Sequence, residues 1–186
     1  MNPGIERAVR SVDTTGWPVF ALEFGSDDLE ILVPPGTEIL TMRDTVPAAD
    51  PARAFASALD RPVGSPGLRD ILRGKGKPLA ELSVAVAVSD ITRPVPYAGA
   101  AGLLGPLLRM IEDAGVPRGN IVIVVGTGMH RPSTPAEKSA MFGEDIVRSC
   151  RILDHDCEDA ASLVHLGRTR SGTEVRVNGA FHRADV

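Results

Sequence analysis

Two short polar stretches each follow an apolar run. Ser89-Asp90-Ile91-Thr92-Arg93-Pro94 brings an acid, a hydroxyl and a guanidinium close together. Gly126-Thr127-Gly128-Met129-His130-Arg131-Pro132 sets a histidine and an arginine behind two glycines. Histidine changes charge near neutral pH, so His130 is a candidate general base or acid. The Arg93 fork matches a carboxylate or phosphate, which makes it a candidate anion clamp. Asp90 would then orient a neighbouring base or accept from a hydroxyl. A structural alternative stands beside this one: Asp90 and Arg93 pair with each other and cap the following turn. Gly126 and Gly128 permit a tight turn and close approach of a ligand to the backbone.

The glycine loop is not a dinucleotide fingerprint, because Arg131 stands where the third glycine of G-x-G-x-x-G belongs. It is not a Walker A loop, since no Gly-Lys-Ser/Thr follows. An ordinary nicotinamide enzyme is also disfavoured, because no acidic residue closes a clear second strand about 20 residues later. A metal needs several converging ligands, and the four histidines show no compact ligand spacing, so the residues name no metal ligand. His155 and Asp156 end a third apolar run and read as a hydrogen-bonded pair closing a sheet edge. His165 reads as a satisfied core or surface histidine, and His182 carries no signal.

These residues need elements to position them. "LSVAVAVSD" and "GNIVIVVGTG" are near-continuous, β-branched-rich runs, the pattern of strands buried on both faces of a parallel sheet. Between them a helix is expected from about Tyr97 to Ala114, with Leu103, Leu104, Leu107, Leu108 and Ile111 as its apolar stripe. That order is a βαβ unit with a right-handed crossover. Thr134-Pro135-Ala136-Glu137 predicts a capped helix start, and "RILDHD" predicts a third short strand. "SLVHLGRTRSGTEVRVNGAF" predicts a hairpin around Ser171-Gly172.

Upstream, Asp50 with Pro51, and Ser65 with Pro66, are start signals for two helices, the second ending at Gly74. "FALEFG", "LEILVP" and "TEILTM" predict three antiparallel strands. The expected fold is α/β: an open, three-layer, mostly parallel, Rossmann-like sheet over 46–186, preceded by a small strand region over 1–45. Such sheets bind ligands at the carboxyl ends of their strands, where both polar stretches fall.

Composition is that of a soluble globular chain, with 43% hydrophobic and 24% charged residues. The net charge of -4 and the absence of a basic block argue against nucleic acid as a partner. No apolar run approaches the roughly 20 residues of a membrane span, and no signal pattern opens the chain. Cys150 and Cys157 have no framework spacing and fit reduced thiols in a cytoplasmic protein.

"DITRPVP", "GTGMHRPSTPAE", "ILDHD", "LGRTRSGTEVRVN" and the terminal "ADV" occur in an order that resembles the N-terminal part of the lactate racemase family. The resemblance runs from about Phe20 to Val186. It implies an isomerase of small 2-hydroxy acids that uses a nickel-pincer nucleotide. That cofactor takes a hydride from the substrate α-carbon and returns it to the other face. Two histidines alternate as bases on the hydroxyl proton.

The resemblance gives one of those roles to His130. It puts Arg93 at the substrate carboxylate or cofactor, and Asp90 in the same shell. Thr92, Gly126, Thr127, Gly128 and Arg131 join Arg93 as the implied cofactor-binding set. The second base, the cofactor-bonding lysine, the nickel ligand and a C-terminal domain are implied to lie past Val186. On that reading the chain is a truncated part of the family's N-terminal domain, inactive alone. The rival expectation is a nucleotide- or anion-binding module without catalysis.

Overall fold

The computed structural model describes residues 13–186 and divides the chain into two compact units, up to Pro47 and from Ala48. In the first, β1 (Val19–Phe24) and β2 (Asp27–Leu32) form an antiparallel hairpin. Gly25 turns it with a positive φ of 68°, a conformation cheap only for glycine. The third expected strand, over 37–42, is absent. Thr37 folds back on the Pro34 carbonyl, and Leu40 and Met42 stand 85% and 92% exposed. An apolar run becomes a strand only where a ladder partner exists, and the hairpin offers it none.

In the second unit, α1 (Pro51–Asp60) starts as read, with the Asp50 carboxylate accepting from Arg53 N–H. The second helix, α2 (Leu68–Arg73), starts differently. Gly67 is its N-cap with no side-chain bond, and the Ser65 hydroxyl is turned to the Pro66 carbonyl.

Three parallel strands form the central sheet in the order β3 (Val84–Ser89), β4 (Ile121–Gly126) and β5 (Arg151–Asp154). Helix α3 (Leu104–Ala114) joins the first two, and α4 (Pro135–Phe142) with α5 (Glu144–Ser149) joins the others. Leu104, Leu108 and Ile111 of α3 pack with Leu72, Leu82, Val84, Val88, Ile121, Ile123, Val125 and Phe142 in one core. Leu108 and Ile123 are fully buried, and truncating such a residue to alanine costs about 2–5 kcal/mol. On β3 only Val84 and Val88 are buried and Ala87 is exposed, so this strand is not covered on both faces as the apolar run suggests.

The crossover helix starts at Leu104 rather than Tyr97. Pro94 and Pro96 supply no N–H, and Gly99 takes a φ of 81°, so residues 97–103 turn instead of winding. Tyr97 braces the sheet instead. Its hydroxyl accepts the Ser89 N–H at 2.6 Å, and its ring meets Phe142 at 5.5 Å.

The hairpin β6 (Leu163–Arg168) and β7 (Glu174–Asn178) forms as expected around Ser171-Gly172. Asn178 then caps the single-turn helix α6 (Gly179–His182). From there the chain reaches the edge of β3 that β4 leaves open. Val186 N–H donates to Ser83 O, and Ala85 N–H to Val186 O, the pattern of a parallel ladder. The Asp185 carboxylate secures this contact by accepting from Ser83 N–H, the Ser83 hydroxyl and Lys77. No described helix is long and apolar enough to cross a membrane.

Candidate active site

The carboxyl ends of β3 and β4 lie side by side, with Ser89 opposite Gly126. Asp90 leaves the first and the loop 127–134 leaves the second. They meet at a cavity of about 300 Å³ lined by Asp90, Ile91, Thr92, His130, Arg131, Ser133 and Glu137.

Asp90 and His130 form its centre. Asp90 Oδ2 lies 2.5 Å from His130 Nδ1. The other oxygen, Oδ1, accepts from the Thr92 hydroxyl at 2.6 Å and the Thr92 N–H at 3.3 Å. These bonds, Thr92 first and His130 second, hold the Asp90 carboxyl below its ordinary value. An ionised Asp90 can only accept, which assigns the proton to Nδ1 and leaves the Nε2 lone pair free. The Asp90 side chain is 10% exposed and that of His130 58%, so the acid is fixed in the wall while the imidazole faces the opening. A shielded carboxylate orienting an accessible imidazole can take up and return a proton.

The other singled-out residues have separate positions. Arg93 is exposed and stands outside the cavity lining, and Asp90 is paired with His130 and Thr92 rather than with it. Thr127 is buried, and its hydroxyl donates to the His155 carbonyl. A Cβ at Gly126 would stand 3.4 Å from the Val88 carbonyl, at the edge of ordinary contact. Gly128 has a φ of 60° and open space around it. Arg131 makes a two-pronged contact with Glu137, at 2.6 and 2.8 Å. That contact, with the Thr134 N–H, draws the Glu137 carboxyl down to about 2.

Asp156 accepts from two backbone N–H groups of its own turn, and the buried His155 Nδ1 has no partner among the described residues. His165 contacts Glu174 at 2.6 Å on the exposed hairpin.

Ser133, Glu137, Lys138 and Asp154 were not legible as site residues. Ser133 and Glu137 line the cavity, and Asp154 accepts the Ser133 N–H while holding Lys138. Burial pushes the Asp154 carboxyl up, but the bonds from Lys138 and Ser133 outweigh it and the net shift is downward. The available signals were the capping box for Glu137 and the acid closing the third apolar run for Asp154.

The motifs around this pair match one family along most of the chain. The family model described as the lactate racemase N-terminal domain matches residues 24–186. The chain belongs to the lactate racemase family. The lactate racemase of Lactiplantibacillus plantarum is 36% identical over 129 residues, 69% of this chain and 28% of that protein. The lactate racemase of Thermoanaerobacterium thermosaccharolyticum is 31% identical over 129 residues, with the same shares. The solved lactate racemase apoprotein from T. thermosaccharolyticum superposes with a TM-score of 0.69 at 25% identity, covering 91% of this chain and 37% of that one. The chain therefore spans well under half the length of these lactate racemases.

Proposed function

We propose that this chain forms part of a lactate racemase-like isomerase of 2-hydroxy acids, in which His130 moves the proton of the substrate hydroxyl. The observation that carries the reading is the 2.5 Å contact between Asp90 Oδ2 and His130 Nδ1 at the mouth of the cavity. Nε2 then faces the opening as the atom that takes a hydroxyl proton and later returns it. The exposed Arg93 guanidinium is the proposed clamp for the substrate carboxylate or for an anionic group of the cofactor.

The family resemblance assigns hydride transfer to a nickel-pincer nucleotide. Among the described residues no group of three or more histidine, cysteine or acidic side chains is placed to hold a metal ion. What the described residues offer to such chemistry is its proton-handling part. On the same reading the chain by itself does not interconvert D- and L-lactate. Chiral analysis of lactate incubated with the 186-residue chain tests this. Unchanged enantiomer composition is expected, and racemisation by the chain alone contradicts the division of labour.

A further inference from the structure

His130 is 58% exposed, so packing does little to fix its ring. Its orientation must come from where the 127–134 loop sets its backbone. Two carboxylates clamp that loop beyond Asp90 itself. Glu137 grips Arg131 and the Thr134 N–H, but Glu137 belongs to the helix that the loop runs into, so this grip is local. Asp154 is different. It ends β5 and lies opposite Val125 of β4 in the parallel ladder, so its backbone is fixed to the sheet that also carries Asp90. Its Oδ1 accepts the Ser133 N–H at 3.1 Å, three residues past His130. Its Oδ2 is held by Lys138 Nζ at 2.5 Å. The Asp154 and Lys138 side chains are 12% and 20% exposed, so water competes weakly for either. At the start of the loop, the Thr127 hydroxyl is tied to the His155 carbonyl on the same strand end.

We propose that Asp154 is a positioning residue: braced by Lys138, it registers the far end of the loop against the sheet and so keeps His130 Nδ1 on Asp90. The inference rests on the reading of His130 as the proton-moving group, but its test does not use catalysis. The readout is the His130 tautomer, from two-bond ¹H–¹⁵N correlations of the labelled chain. It is recorded on the alkaline plateau, where the ring nitrogen shifts no longer change with pH.

In the wild-type chain the proton sits mainly on Nδ1. In Asp154→Asn the single remaining oxygen turns to the Lys138 ammonium, the amide N–H₂ faces the Ser133 N–H so that this anchor is lost, and the ratio of Nδ1–H to Nε2–H falls about fivefold, the weight of one net hydrogen bond. Lys138→Met, milder for folding, shifts the ratio the same way by less. An unchanged ratio in Lys138→Met and in folded Asp154→Asn overturns the proposal. Asp90→Asn separates the two layers. If it shifts the tautomer while the Asp154 and Lys138 variants do not, only the positioning role fails. If it too leaves the tautomer unchanged, the Asp90–His130 pair itself is wrong and the role of Asp154 falls with it.

Discussion

At the scale of single residues, the division between Asp90 and His130 was partly legible and partly not. An acid closing an apolar run and a histidine closing the next one mark a shared crevice in a parallel sheet. The choice between Asp90 pairing with Arg93 and Asp90 orienting a base was open, because Arg93 is near in sequence whereas His130, 40 residues on, is brought near only by the fold. The fold decides it: the loop after β4 brings His130 to Oδ2, Thr92 occupies Oδ1, and Arg93 is not a partner of Asp90. Arg131 shows the converse. Its type suits an anion, yet Glu137 holds it on both prongs, and only the capping box spacing hinted at that acid. Replacing Asp90 by asparagine removes the fixed acceptor while conserving shape. In the complete, cofactor-loaded enzyme, Asp90→Asn is expected to lower kcat by about 10²-fold or more and to move KM little, as steady-state kinetics would show. A KM effect with kcat intact would instead place Asp90 in substrate binding.

At the scale of elements, caps and turns were read more reliably than extents. The Thr134–Glu137 capping box and the Asp50 cap appear as spacing alone required. The run at 37–42 and the helix start at Tyr97 do not, and for one reason. Periodicity reports what a segment could bury, whereas forming it needs a ladder partner or an unbroken line of N–H donors, which 37–42 and Pro94–Gly102 lack. Helix α4 carries two predictions. Thr134→Ala should lower stability by about 0.5–2 kcal/mol, the ordinary worth of an N-cap, in chemical denaturation. Glu137 is a carboxylate with its value drawn down from 4.5 to about 2. Its contribution is fully present above the ordinary value and is lost as pH falls through about 2. The stability gap between wild type and Glu137→Gln should therefore be open at neutral pH and closed in strong acid. A gap independent of pH would show that Arg131 is not its partner.

At the scale of the whole molecule, the parallel pairing of β3 and β4 followed from the βαβ alternation, while the place of β5 beside β4 did not, and the pairing sets the site at the carboxyl ends of adjacent strands. The return of the chain to the far edge of β3 was not legible, because it depends on a contact 102 residues long in sequence, between Asp185 and Ser83. Bonds from Lys77 and Ser83 hold the Asp185 carboxyl far below its ordinary range. Asp185→Ala should lower the denaturation midpoint at neutral pH, and the loss should shrink as acid protonates the wild-type carboxyl. An equal loss at all pH values would place its weight on packing instead. The central claim, that His130 moves the substrate proton, is tested most directly by chiral assay of lactate with the complete, cofactor-loaded enzyme, comparing wild type with His130→Gln at equal cofactor content. A rate lower by about 10²- to 10⁴-fold is expected; a His130→Gln enzyme racemising at the wild-type rate would contradict the claim.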